Sequence, residues 1–408
     1  MECGGLTKVA NNSHSAETAA TAAGRAGKIR VGVIGGGQLA RMMIPPATHL
    51  GLEISVLAES PGMSAARAAD AVGDYRDAVT VMQFAETVDV ITFDHEHVPQ
   101  EVLAQLVAAG VQVHPQPHAL QYAQDKILMR QKLSEIGAPV PTWAAVQTPA
   151  ELDAFLAQVG GKAVVKTARG GYDGKGVRVV TAAAEAADWF AALEADPVSD
   201  ALLAEELVPF ERELSQLVAR RPSGEVALWP VVETVQQDGV CAEVIAPAPA
   251  VATTAAKLQE AAAAIGRQIA TGLEVTGVMA VEMFETLDGR LLVNELAMRP
   301  HNSGHFSIEG SITSQFEQHL RAVTDLPLGS TAMTRPAAVM INVLGGPAEG
   351  PMPVRYNRAL AAHPAAKFHS YGKDSRPGRK VGHVTVIGDD TAQVLQAARA
   401  AAAEMENG

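Results

Sequence analysis

A chain of 408 residues is long enough for two to three domains with substantial cores, and 48% hydrophobic content with only 4% aromatics fits an Ala/Val/Leu-rich α/β protein rather than a disordered or fibrous one. The formal net charge of −13 argues against broad binding to nucleic acid or to an anionic membrane, so an anionic substrate has to meet locally gathered cations. Cys3 and Cys241 are too few for a disulfide framework, no apolar run approaches the ~20 residues of a membrane span, and residues 1–28 lack the apolar core of a secretory signal. A cytoplasmic protein is expected, with residues 1–28 as an extension lacking fixed structure.

Residues 29–34 read as a buried strand, 35–37 as a glycine turn, Gln38 as a helix start and 54–57 as the next strand. With the apolar runs at 88–93 and 111–113 this predicts a parallel-sheet domain over residues 29–120. Gly35, Gly37 and Ala40 satisfy GxGxxA, and Glu59 lies where a dinucleotide-binding fold carries its ribose carboxylate, so an NAD-dependent dehydrogenase is one reading. Helical stretches at 125–137 and 149–159 lead to a glycine loop, residues 166–176, between the Val-rich runs 163–166 and 177–180. It links strand to strand, whereas a Walker loop links strand to helix, and no Lys-Ser/Thr pair follows in register. Gly170, Gly171, Gly174 and Gly176 let backbone amides approach phosphate oxygens, with Lys166 and Lys175 supplying charge; an ordinary glycine-rich hairpin is the alternative. Residues 202–208 read as a buried strand bearing Glu205 and Glu206, residues 253–272 as a helix, and 327–336 as a boundary before a final domain.

Residues 277–285 and 290–296 flank the turn 286–289 and predict a hairpin. With a four-residue loop, Glu285 faces Arg290, Glu282 faces Val293 and Ala280 faces Glu295, which leaves Glu282 and Glu295 as diagonal neighbours on one face. Paired acids in apolar strands are costly unless neutralised, and Mg²⁺ prefers such oxygen ligands. Residues 298–305 follow at once, combining Arg299, His301, Asn302, Ser303 and His305 in a loop suited to anions.

The ordered set GGGQLARMM at 35–43, GGYDGKG at 170–176, NELAMRPHNSGH at 294–305, TSQFEQHLRAV at 313–323 and RPGRKVGH at 376–383 closely resembles the N5-carboxyaminoimidazole ribonucleotide synthase family of the ATP-grasp superfamily, over about residues 29–390. Other members, such as formate-dependent glycinamide ribonucleotide transformylase, share the scaffold, but the HNSGH and RPGRKVGH segments look like the synthase. The resemblance implies an α/β ATP-grasp fold: a Rossmann-like N-terminal domain to residue 120, an ATP-grasp domain at 121–328 with a lid at about 145–205, and a C-terminal domain at 329–408. It further implies ATP and Mg²⁺ as cofactors, a homodimer, and carboxylation of 5-aminoimidazole ribonucleotide.

By position, the resemblance makes Lys126 and Lys166 phosphate contacts and the stretch Gly171, Tyr172, Asp173, Gly174, Lys175, Gly176 and Val177 the lid. Glu205, Glu206, Leu207 and Val208 become the adenine strand, Glu213 the ribose ligand, Gln236 a nucleotide neighbour, and Glu282, Glu295 and adjoining Asn294 the metal site. Arg299 and His301 are expected at carboxyphosphate. The ribonucleotide is expected against Glu96, Tyr172, Asp173, Lys175, Asn302, Ser303, His305, Lys373, Arg379 and Lys380. Asp94-His95 stands where the family often has Glu followed by an aromatic, and Gly310-Ser311 where it has Ala-Cys. A non-catalytic nucleotide sensor would keep the ATP residues without needing the loop from Arg299 to His305.

Overall fold

The computed structural model describes residues 28–170, 176–195, 199–237, 239–250, 252–345 and 352–407. The loop residues Gly171, Tyr172, Asp173, Gly174 and Lys175 and the extension 1–27 lie outside the described residues.

The first sheet is wholly parallel: β1 (Arg30–Ile34), β2 (Glu53–Ala58), β3 (Ala71–Val72), β4 (Val90–Phe93) and β5 (Gln112–Val113), in the order β3-β2-β1-β4-β5. Its strands are near-continuous apolar runs because both faces are covered. Val31, Val33, Val56 and Val90 pack on one side with Met43 of α1 (Gln38–Leu50), while Ile34, Leu57 and Ile91 pack on the other with Phe84, Leu103 and Leu106. Helix α1 ends at Gly51, whose φ of 70° lets its N–H cap the carbonyls of Ala47 and Thr48.

A small antiparallel sheet follows, β6 (Trp143–Val146), β7 (Ala163–Thr167), β8 (Val177–Val180) and β9 (Leu202–Glu206), in the order β6-β9-β7-β8. The glycine loop therefore joins two paired strands, as the valine runs predict.

The largest sheet is antiparallel, built from β10 (Phe210–Arg220), β11 (Val226–Leu228), β12 (Val232–Gln237), β13 (Val240–Ala246), β14 (Gly277–Thr286), β15 (Leu291–Ala297), β16 (Ala337–Leu344), β17 (Lys367–Ser370) and β18 (Lys380–Gly388). Its order is β15-β14-β10-β12-β13-β16-β18-β17, with β11 on β10. The predicted boundary at 327–336 is a loop, yet β16 pairs with β13 from Glu243↔Ile341 to Ala246↔Ala338, so the final segment extends the central sheet rather than building one of its own.

One buried imidazole ties these parts together. His319, on the helix Gln315–Val323, accepts the Val278 N–H at Nδ1 (3.0 Å), so its Nε2–H donates to Thr92 Oγ1 of β4 (2.7 Å). Burial, with a smaller push from His114, lowers its pKa to about 3, and burial lowers that of His114 to about 4. Both are neutral when folded and protonate near 6.5 when unfolded, so their contribution is complete above that pH and is lost as pH falls toward 3 or 4. At pH 5 this amounts to about 2 kcal/mol for each. The urea midpoint is expected to drop between pH 7.5 and pH 5, with a shallower dependence in His319→Gln. Identical dependences in parent and variant would contradict a buried neutral imidazole.

Candidate active site

The hairpin forms as predicted, but its register differs. Thr286 N–H donates to Arg290 O, so the strands close one residue tighter than the four-residue loop assumed, giving Glu285↔Leu291 and Met283↔Val293. A bulge beyond Met283 then shifts the register again, so Glu282 pairs directly with Glu295 and Ala280 with Ala297. The two shifts together preserve the shared face and turn diagonal neighbours into opposed ones. Ser215 of β10 pairs with Glu282, so Ser215, Glu282 and Glu295 form one row across three strands.

Four cationic or imidazole groups border this row. His301 Nε2 lies 3.1 Å from Glu282 Oε1, and Lys126 Nζ lies 3.6 Å from Glu295 Oε1. Lys166 Nζ donates to Asn294 Oδ1 (3.1 Å), and Arg299 completes the set. Burial works against ionising Glu282, but His301, Arg299 and Lys380 outweigh it and hold its carboxyl below the ordinary range. Glu295 keeps 46% of its side chain exposed, yet desolvation of its carboxyl and the charge of Glu282 outweigh Lys126 and raise its pKa. Two opposed acids, one ionised and one resisting ionisation, call for a shared cation. Among the described residues no set of three or more His, Cys, Asp or Glu forms a complete metal cage. Mg²⁺ typically takes one or two carboxylates and fills its other positions with water and phosphate oxygens, so this donor pair fits it.

Lys126 opens the helix Lys126–Glu135, where a cation opposes the helix dipole and an anionic neighbour would compensate. Asp125 starts that helix by accepting from Ile127 N and Leu128 N, and also accepts from Arg169 Nε (2.9 Å), pinning the entry to the glycine loop. Lys126 Nζ donates to Gly170 O (3.2 Å). Gly176 and the exposed Val177 form the far side of the loop.

Glu205 turns its side chain into the protein. Its side chain is buried and held by Arg130, which is 0% exposed, and by Lys166 Nζ at 2.7 Å. Burial would raise its pKa, but these two cations reverse the sign and lower it. The carboxylate thus anchors Lys166 and is spent inside the protein, so any adenine contact falls to the backbone. Glu206 is turned away as well, accepting Thr142 N (3.0 Å). Strand β9 ends there, and Leu207 and Val208 continue beyond the sheet. Glu213 of β10 has its pKa raised to about 7 by burial and by Glu282, against a hydrogen bond from the exposed Gln236. Near neutrality it exists in both protonation states.

Four expected substrate contacts, Glu96, Asn302, Ser303 and His305, are engaged within the protein. Glu96 accepts from Met298 N (2.7 Å) and Arg299 Nε (3.1 Å), so it orients the arginine. Ser303 is fully buried behind His301. His305 is 1% exposed, bonded to Gln315 and packed on Phe316, Tyr371 and His383, which removes it from the cleft. Buried Gln315 also bonds His301 N and O (2.8 Å each), clamping the loop, and Asn302 exchanges hydrogen bonds with buried Asn342.

The C-terminal segment reaches the first domain. Lys373 Nζ donates to Gln38 Oε1 at the start of α1 (2.6 Å). Its pKa is lowered by burial, then by Arg379 and Lys380, with Asp94 opposing, so these cations share one neighbourhood. The glycine turn itself is occupied by the protein's own acids: Glu59 accepts from Gly36 N and Asp94 from Ala40 N, each at 3.0 Å. A Cβ at Gly37 would lie 2.0 Å from Asp94 Oδ2. This arrangement takes the amides a dinucleotide pyrophosphate would need and removes the basis of the dehydrogenase reading. Arg130, Ser215, Gln38 and Gln315 had no assigned role in the sequence; Gln38 and Gln315 lie inside the quoted segments.

Family comparison gives three consecutive matches: a ribonucleotide synthetase preATP-grasp domain at residues 28–124, an ATP-grasp domain at 131–316 and a phosphoribosylaminoimidazole carboxylase C-terminal domain at 338–397. The N5-carboxyaminoimidazole ribonucleotide synthase of Mycobacterium tuberculosis (strain ATCC 25618 / H37Rv) is 50% identical over 382 residues, covering 93% of this chain and 88% of that protein. That of Synechococcus elongatus is 41% identical, covering 92% and 94%. Among solved structures, the Aspergillus clavatus N5-carboxyaminoimidazole synthase in complex with ADP and 5-aminoimidazole ribonucleotide superposes with a TM-score of 0.81 at 30% identity, covering 93% of this chain and 99% of that one. Sequence, domain order and fold agree, and the chain belongs to the N5-carboxyaminoimidazole ribonucleotide synthase family.

Proposed function

We propose that the protein is an ATP-dependent carbon–nitrogen ligase of purine biosynthesis that carboxylates 5-aminoimidazole ribonucleotide with bicarbonate, yielding N5-carboxyaminoimidazole ribonucleotide, ADP and phosphate. The observation that carries this reading is the opposed pair Glu282 and Glu295, flanked by Lys126 and Lys166 on one side and by Arg299 and His301 on the other.

In this reading Glu282 and Glu295, with Asn294 beside them, would hold Mg²⁺, which would screen the triphosphate charge. Lys126 and Lys166 bind phosphate oxygens, and Lys166 is kept in place by Glu205. Bicarbonate oxygen attacks the γ-phosphorus as the bond to ADP breaks, forming carboxyphosphate. Arg299, oriented by Glu96, and His301 then face its negative oxygens. The exocyclic amine attacks the carboxyl carbon as its bond to the phosphate oxygen breaks and phosphate leaves, or adds to CO₂ once carboxyphosphate has split into CO₂ and phosphate, and the nitrogen loses a proton as the N–C bond forms. Glu213, sharing a proton near neutrality, can donate to and accept from ribose hydroxyls. Tyr172, Asp173 and Lys175, outside the described residues, are assigned to the ribonucleotide by the family resemblance alone.

Lys373 and Arg379, with Lys380 assisting, take the ribonucleotide 5′-phosphate in the neighbourhood of Gln38. Lys373→Ala is expected to raise the KM for the ribonucleotide by about ten- to hundred-fold, corresponding to one charge-assisted contact, with a smaller change for ATP. Unchanged ribonucleotide KM at low salt would remove the phosphate role. Coupled measurement of ADP release with ribonucleotide and bicarbonate supplied or omitted tests the whole reading: ADP release indifferent to both would overturn it. The same reading takes the enzyme as a cytoplasmic homodimer, which sedimentation at assay concentration checks for the dimer. Among the described residues no helix is long and apolar enough to cross a membrane.

A further inference from the structure

We propose that Ser303, through its backbone N–H and its hydroxyl, and Ser215 behind that hydroxyl are positioning residues that hold the His301 imidazole with Nδ1 accepting and the Nε2 proton turned to Glu282. His301 Nδ1 faces two groups of Ser303, the backbone N–H at 3.4 Å and Oγ at 2.8 Å. A backbone N–H can only donate, so Nδ1 is the acceptor in this pairing and the ring proton resides on Nε2. That proton is directed at Glu282 Oε1, 3.1 Å away.

With its own hydrogen donated to Nδ1, Ser303 Oγ accepts from Ser215 Oγ at 2.7 Å. Both serines are 0% exposed. The hydrogen bonds run in one direction, from Ser215 to Ser303 to His301 to Glu282. Ser215 and Glu282 are themselves cross-strand partners on β10 and β14, so the chain begins and ends on facing positions of one strand pair. Gln315 fixes the His301 backbone from both sides, leaving the imidazole little freedom to leave this circuit.

The consequence rests on the proposed function. A resting His301 that offers N–H to the cleft acts there as a hydrogen-bond donor to a negatively charged oxygen. It does not offer the lone pair needed to accept the amine proton, and that proton has to leave by another route.

The test reads the tautomer directly. In the full chain labelled with [¹⁵N]histidine, without ligands, long-range ¹⁵N–¹H correlation should show His301 Nδ1 unprotonated and Nε2 protonated, with the signals assigned by their loss in His301→Gln. Ser303→Ala keeps the backbone N–H and leaves Glu282 in place, so Nε2 should stay protonated, while loss of the hydroxyl should lower kcat by about 10- to 100-fold, as loss of an orienting partner does elsewhere. KM values for ATP and ribonucleotide should stay within about two-fold, because ground-state binding is untouched. Ser215→Ala should act in the same direction, and the double variant should be no slower than Ser303→Ala, since the hydroxyls act in series. A protonated Nδ1 in the parent overturns the proposal without any variant having to fold, as does a folded Ser303→Ala chain with the parent's kcat. Either failure leaves ribonucleotide-dependent ADP release standing, whereas loss of that dependence would strike the proposed reaction and not the tautomer.

Discussion

Glu282→Gln and Glu295→Gln are each expected to lower turnover by about a thousand-fold, because a lost charged ligand removes several kcal/mol of transition-state stabilisation and each 1.4 kcal/mol is tenfold. The two changes are not equivalent. Glu282 also receives the His301 Nε2–H, so its loss disturbs the imidazole as well as the cation. The fold should survive both changes, and in the absence of ligands Glu295→Gln should be at least as stable as the parent. Glu282 and Glu295 face each other in register, and replacing one by an amide relieves their repulsion. Titration calorimetry of ATP with and without Mg²⁺ supplies a readout independent of turnover: the metal-dependent part of the affinity should vanish. Near-normal ATP hydrolysis in both variants would end the metal assignment.

Glu205→Leu should be among the most destabilising single changes in the chain, costing about 3–5 kcal/mol, because it leaves two cations in the interior without their shared partner. Arg130 is 0% exposed and Lys166 largely buried, so neither can recover solvation without local unfolding. Replacing the pair together, Glu205→Leu with Arg130→Met, removes the charge imbalance at its most buried point and should restore much of the thermal stability. It should not restore ATP affinity, since Lys166 still lacks its anchor. Equal melting temperatures for parent and Glu205→Leu would show that the network contributes no more than a surface pair does.

The sequence made the strands legible where composition and period agree: the valine runs around the glycine loop, the buried run at β1 and the hairpin strands all stand near the expected residues. Register was less accessible. Turn closure at Thr286 and the bulge beyond Met283 are each worth one residue, and neither leaves a distinct mark in composition. The acidic pair was found because alternation survives a two-residue shift. Side-chain direction in the buried networks was not legible. Glu205 and His305 have residue types suited to a ligand, but their destinations depend on Arg130, Gln315 and Tyr371, which lie 75, 10 and 66 residues away along the chain. The dehydrogenase fingerprint was genuine as a turn; what it could not reveal is that Glu59 and Asp94 already satisfy its amides.

The pairing of β13 with β16 makes the strands β16, β17 and β18 a continuation of the same hydrogen-bonded fabric that holds the acidic row. A cut in the loop before Ala337 would not release a module. It would bare the ladder edge of Val240–Ala246, whose inner residues Val244, Ile245 and Ala246 are almost fully buried, and offer it to any other strand in solution.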